Sequence, residues 1–91
     1  NTAGLLPLAP THLRKVAVVG PLADDPHEQL GTWIFDGDAS LSEPLLPALR
    51  AALPDAEIVY ARGVPNTRVD DRALIDDAVA AAVGADVAIL V

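Results

Sequence analysis

The sequence predicts an α/β fold in which strand, helix, strand, helix and strand follow one another into a parallel sheet. Three observations predict it. Val16-Ala17-Val18-Val19 is a run of four apolar residues, the pattern of a strand buried on both faces. Two stretches carry apolar residues at helical spacing and alternate with three short apolar runs. The connections between those runs are long enough for crossovers between parallel neighbours, which are right-handed as a rule. The arrangement is half of a doubly wound sheet, with the first strand in the middle and the second and third on either side.

Residues 1–14 form an extended arm entering the domain. Leu5-Leu6-Pro7-Leu8 and Ala9-Pro10 combine three leucines with two prolines, which suits an extended segment packed on a larger body better than a helix. The first strand spans 15–20 and stops at Gly20-Pro21. In 22–30, Asp25-Pro26 starts one short helical turn. Residues 31–41 are a loop with Gly31, Gly37, Asp36 and Asp38. A helix follows over 42–53, its stripe being Leu45, Leu46, Leu49, Ala52 and Leu53, with Pro44 and Pro47 confined to the first turn. Pro54-Asp55 ends it.

The second strand is 57–61, followed by Arg62-Gly63 and a loop through Pro65-Asn66-Thr67. The second helix covers about 71–83. Its stripe is Leu74, Ile75, Ala78, Val79, Ala82 and Val83. Asp70 or Asp71 caps its first turn, and Gly84 supplies a left-handed residue at its end. Asp86 leads into a third strand, 87–91. Ligands of such sheets bind beyond the carboxyl ends of the strands. Here that edge carries residues 21–38 and 63–70.

Composition narrows the partners. The chain has 91 residues and 52% hydrophobic content, mostly Ala, Val and Leu, with one Trp, one Tyr and one Phe. A chain of this length buries only about 60–65% of its unfolded surface. Together with an apolar run at its end, this leads us to expect an incomplete fragment: 15–91 as the N-terminal part of a larger α/β domain, truncated after its third strand. Thirteen acidic residues against six basic ones give a net charge of −7, which argues against nucleic acid or an anionic membrane as partner. There is no cysteine, so no thiolate chemistry is available. His12 and His27 are too far apart for a helical metal pair. We expect no metal site and no cofactor.

The candidate chemistry is sparse. Gly20-Pro21-Leu22-Ala23-Asp24 is neither a dinucleotide fingerprint nor a P-loop, and Pro21 lacks the amide a phosphate would use. Asp24-Asp25 reads as a solvated turn and helix cap rather than a metal site or phosphoacceptor. Asp36 and Asp38 lie too close in sequence to be assigned as a pair of glycosidic carboxyls. No Ser–His–Asp arrangement follows from two isolated histidines. Trp33 is the best candidate. A loop Trp offers a platform for the apolar face of a sugar, or it plugs the joint with another domain; aromatics serve both roles.

The ordered words of the chain carry more. Gly4-Leu5-Leu6-Pro7-Leu8, Val16-Ala17-Val18-Val19-Gly20-Pro21-Leu22-Ala23-Asp24, Leu30-Gly31-Thr32-Trp33, Val59-Tyr60-Ala61-Arg62-Gly63 and Ala85-Asp86-Val87-Ala88-Ile89-Leu90-Val91 occur in this order with these gaps. The series resembles the second domain of glycoside hydrolase family 3, the β-glucosidase-type enzymes, over nearly the whole chain.

The resemblance implies a three-layer α/β sandwich paired with a TIM-like barrel of the same parent protein, the active site lying between them. It implies a retaining β-glycosidase acting on β-glucosides or oligosaccharides. Its nucleophile would be a barrel aspartate and its acid/base a glutamate later in the sandwich, so that no catalytic residue is expected in this stretch and the fragment alone would be inactive. It places Trp33 at the cleft as a substrate-binding residue; beside it, we expect Asp36 to hydrogen-bond a sugar hydroxyl. Ile34-Phe35-Asp36 depart from the plant-type pattern, which has a second Trp-containing run there. A non-catalytic α/β binding or assembly module is the alternative reading. Homo-oligomerisation stays open, as does the compartment, bacterial cytoplasm or periplasm.

Overall fold

The computed structural model describes every residue except Asn1, Thr2, Leu5 and Thr67. The part of the arm and of the 65–67 loop that falls on those four lies outside the described residues. The remainder of the arm is not wholly extended. It closes into a 3₁₀ turn at Pro10–His12, with Pro10 opening the turn, where its missing N–H costs nothing.

Three strands follow, β1 (Lys15–Val19), β2 (Glu57–Ala61) and β3 (Val87–Leu90). They form one parallel sheet in the order β2-β1-β3, as expected. β1 and β3 each stop one residue short of the predicted end. The central position of β1 explains its composition. Val16, Ala17 and Val18 are fully buried because the sheet is covered on both faces.

Helix α1 (Leu45–Ala52) packs on one face. Leu46 is buried against Val16, Val18 and Ala23, and Leu45, Leu49 and Leu53 pack around it with Ile58 and Tyr60. The helix begins three residues later than predicted. Pro44 is its N-cap with ψ 160°, and a residue preceding proline is disfavoured in the helical region, which keeps Glu43 out. Pro47 lies in the first turn, where its absent N–H has no helical acceptor to satisfy. Ala52, predicted on the apolar stripe, is exposed.

Helix α2 (Arg72–Ala82) covers the other face. Asp71 caps it, its Oδ1 accepting from Ala73 N at 3.0 Å and Leu74 N at 3.4 Å. Gly84, with φ 77°, reverses the chain after it. The buried residues of α2 are Ala78 and Ala81, whose small side chains let the helix approach the sheet closely. The predicted stripe is therefore rotated. Ile75, Val79 and Val83 are 37%, 58% and 70% exposed. Together with Leu90 and Val91 they leave an apolar strip open beside β3.

One side chain ties the outer strand to the central one. Asp86 Oδ2 accepts from Arg14 N at 2.7 Å and Lys15 N at 2.9 Å, while Asp86 N donates to Lys15 O at 2.8 Å. The Lys15 amide, then the Arg14 amide, holds the Asp86 carboxyl below the ordinary carboxylate range. A depressed folded-state pKa gives stability that is complete above the unfolded value and is lost as pH falls through the folded one. Asp86→Asn is expected to lower the Tm at pH 7. The gap from the unsubstituted protein should close as the pH drops below about 4, which thermal melts from pH 7 to 3 would show. A gap independent of pH would contradict this role.

Candidate functional site

The carboxyl edge of the sheet is where the crossovers deliver their loops. After β1 the chain turns at Gly20-Pro21, and Gly20 N donates to Ala61 O at 3.1 Å. Asp25 N donates to Leu22 O at 3.4 Å. Pro21 between them has no N–H to donate. Asp25 caps the next turn, as its position before Pro26 predicts. Its Oδ1 accepts from His27 N and Glu28 N, both at 3.0 Å, at the start of the 3₁₀ segment Glu28–Leu30.

Beyond Gly31 the chain presents an aromatic surface. Trp33 and Phe35 are 82% and 83% exposed. Their rings stack with centroids 6.0 Å apart and planes inclined by 29°. Leu41, in the same loop, is 85% exposed. Two aromatic rings presented this openly and side by side are a candidate interaction surface. Phe35 has φ 37°, a positive value rare for a bulky residue and concentrated at functional loops. The loop closes by Gly37 N donating to Ile34 O at 2.5 Å. Asp38 then caps the 3₁₀ segment Ala39–Leu41, accepting from Ser40 N at 2.9 Å. The Ser40 side chain, then its amide, holds the Asp38 carboxyl below its usual range.

Asp36 lies between Phe35 and Gly37, exposed, and has no hydrogen-bond or ion-pair partner among the described residues. Trp33 and Asp36 thus share one loop and face solvent. The stack of Phe35 on Trp33 is a feature the sequence reading missed. Its only signal was the spacing of two aromatics inside a glycine-bounded loop. His12 and His27 are both exposed and far apart in sequence; His27 Nδ1 lies 3.8 Å from Glu28 Oε1. Among the described residues no cluster of His, Asp or Glu is placed to hold a metal ion.

A second feature of the same edge was also missed. A cavity of about 440 Å³ opens between the first turn after β1 and the loop after β2, lined by Asp25, Glu28, Arg62, Asn66 and Arg68 together with Pro21, Leu22 and Pro65. The two arginines are six residues apart in a loop, and no sequence periodicity signals that they share a cavity.

Helices on both faces of a parallel sheet, with an aromatic loop at its carboxyl edge, define part of an α/β sandwich. The chain matches the glycosyl hydrolase family 3 C-terminal domain over residues 1–91 and belongs to that family. A periplasmic beta-glucosidase from Salmonella typhimurium (strain LT2) is 36% identical over 96 residues, covering 84% of this chain. The chain spans 12% of the length of that relative.

Proposed function

We propose that this chain is part of a retaining β-glycosidase of the β-glucosidase type, which hydrolyses O-glycosidic bonds in β-glucosides or oligosaccharides. Membership of the family and the likeness to a protein named as a beta-glucosidase support this reading. The observation that carries the role of this stretch is the exposed Trp33–Phe35 stack. Sugar rings have apolar C–H faces that lie well on an aromatic platform, and Asp36 beside it accepts hydrogen bonds from sugar hydroxyls. Trp33 and Asp36 then form a wall of the cleft. Binding made there, remote from the bond broken, is available to the transition state.

The chemistry needs two carboxyl groups about 5–5.5 Å apart, one a nucleophile and the other an acid/base. Both are assigned outside this stretch, the nucleophile to a TIM-like barrel of the same protein. Residues 1–14 then lead into the domain, and 15–91 are the first part of its sandwich. The open strip of Ile75, Val79, Val83 and Leu90 supports a further layer over α2 and β3 in the longer protein. No helix among the described residues is long and apolar enough to cross a membrane. The relative is named periplasmic, and the periplasm is the compartment proposed here.

The longer protein should cleave an aryl β-glucoside, and proton NMR should show the β-anomer of glucose as the first product, since two displacements restore the configuration. First release of the α-anomer, or no hydrolysis, would refute the proposal. No hydrolysis would leave a non-catalytic binding module.

A further inference from the structure

The cavity between the loops after β1 and β2 has chemistry of its own. Neither Trp33, Phe35 nor Asp36 lines it. Its volume of about 440 Å³ falls within the roughly 300–1,000 Å³ of small-ligand clefts. It sits at the carboxyl edge of a parallel sheet, where such sheets bind ligands.

Apart from Glu28, whose Oε1 lies 3.8 Å from His27 Nδ1, its polar groups keep bonding capacity. Arg62 and Arg68 form no ion pair among the described residues, although the chain carries thirteen carboxylates and only six Lys and Arg residues. Asp25 is held in place by two backbone amides on Oδ1, and its Oδ2 has no bond among the described residues. Asn66 accepts from Arg68 N at 2.9 Å through Oδ1, which leaves its amide NH₂ as a donor. Pro21, Leu22 and Pro65 are its apolar lining.

This combination selects among ligand classes. Two arginines and two acidic residues line the cavity, so their formal charges cancel. A phosphate would meet Asp25 and Glu28, and neither Pro21 nor Pro65 has an N–H to offer it. A metal ion would lie beside two arginines. A neutral polyol meets none of these objections. Its hydroxyls donate to the carboxylates and accept from the guanidinium groups, and its C–H face lies on the prolines and Leu22. We propose that this cavity is a second sugar site, separate from the aromatic loop, that takes a neutral hexose ring of a longer glycan. Glucose as that ring rests on the glycosidase reading above; the polyol chemistry does not.

The test is calorimetric titration of the longer protein with a sulfur-linked β-glucose tetramer, which resists hydrolysis. Arg62→Met/Arg68→Met is expected to weaken binding about 10-fold or more, because charge-assisted hydrogen bonds are lost. The Tm should hardly move, both side chains being exposed. Arg68→Met alone serves if the double variant melts early. Arg62→Lys/Arg68→Lys should recover part of the affinity. Equal affinity of the Met variant and the unsubstituted protein overturns the site, as does failure of the unsubstituted protein to bind the tetramer. Loss of inorganic phosphate binding with tetramer binding intact also overturns it, in favour of an anion site. Failure to hydrolyse an aryl β-glucoside, with the tetramer effect present, removes the glycosidase reading and leaves the sugar site standing.

Discussion

Gly20→Ala is expected to destabilise the fold by about 3 kcal/mol or more. Two independent causes act at this position. Gly20 has φ 136°, a conformation that side chains with a Cβ rarely adopt. A Cβ there would also overlap the carbonyl of Val91, whose own N–H donates to Val19 O at 2.9 Å. The obstacle is backbone at the end of β3 and cannot swing aside like a flexible side chain. The sheet would have to separate between its central strand and β3. Urea unfolding of the variant should show the loss in full. A change below about 0.5 kcal/mol, ordinary for a surface site, would mean that β1 and β3 do not meet in this way.

Val79→Asp in the longer protein is the second large effect. Val79 is 58% exposed in this chain and lies in the apolar strip beside β3. Left in water, the site would tolerate Asp within about 0.5 kcal/mol. Covered by a further layer, as proposed, it would take an unpaired charge out of water. The variant should then lose about 2–4 kcal/mol of stability. Denaturant midpoints of the two proteins decide between these outcomes. A neutral result would remove the support this strip gives to a larger sandwich.

Much of the fold was legible because its signals are local. The run Val16-Ala17-Val18-Val19 marks a strand buried on both faces, and burial of Val16, Ala17 and Val18 confirms it. The crossover lengths predicted parallel pairing, and the order β2-β1-β3 follows. Asp71 and Gly84 bracket α2 with cap and left-handed residue as their chemistry requires. The errors have physical causes. Helical spacing identifies which side chains of α2 are apolar, but the small residues Ala78 and Ala81 decided which of them meet the sheet. The start of α1 turned on Pro44 acting as cap rather than as a first-turn residue.

The site was less legible, for a different reason. Trp33 and Asp36 were singled out by residue type and resemblance, and the structure brings them into one exposed loop. Phe35 stacks on Trp33 and has a positive φ, neither of which any periodicity encodes. Asp25, Glu28, Arg62 and Arg68 come from loops after two different strands. Only the sheet order places them together.

The most direct test of the proposed role is the kinetics of Trp33→Ala in the longer protein, with thermal melts alongside. The ring is 82% exposed, so its removal opens no core cavity and the Tm should stay within about 2 °C. If Trp33 forms the cleft wall, kcat/KM for an aryl β-glucoside or a β-linked disaccharide falls about 10- to 100-fold, and Trp33→Phe recovers part of it. Unchanged kinetics, with a Tm lowered by many degrees, would contradict that claim and make Trp33 a structural plug against a neighbouring domain.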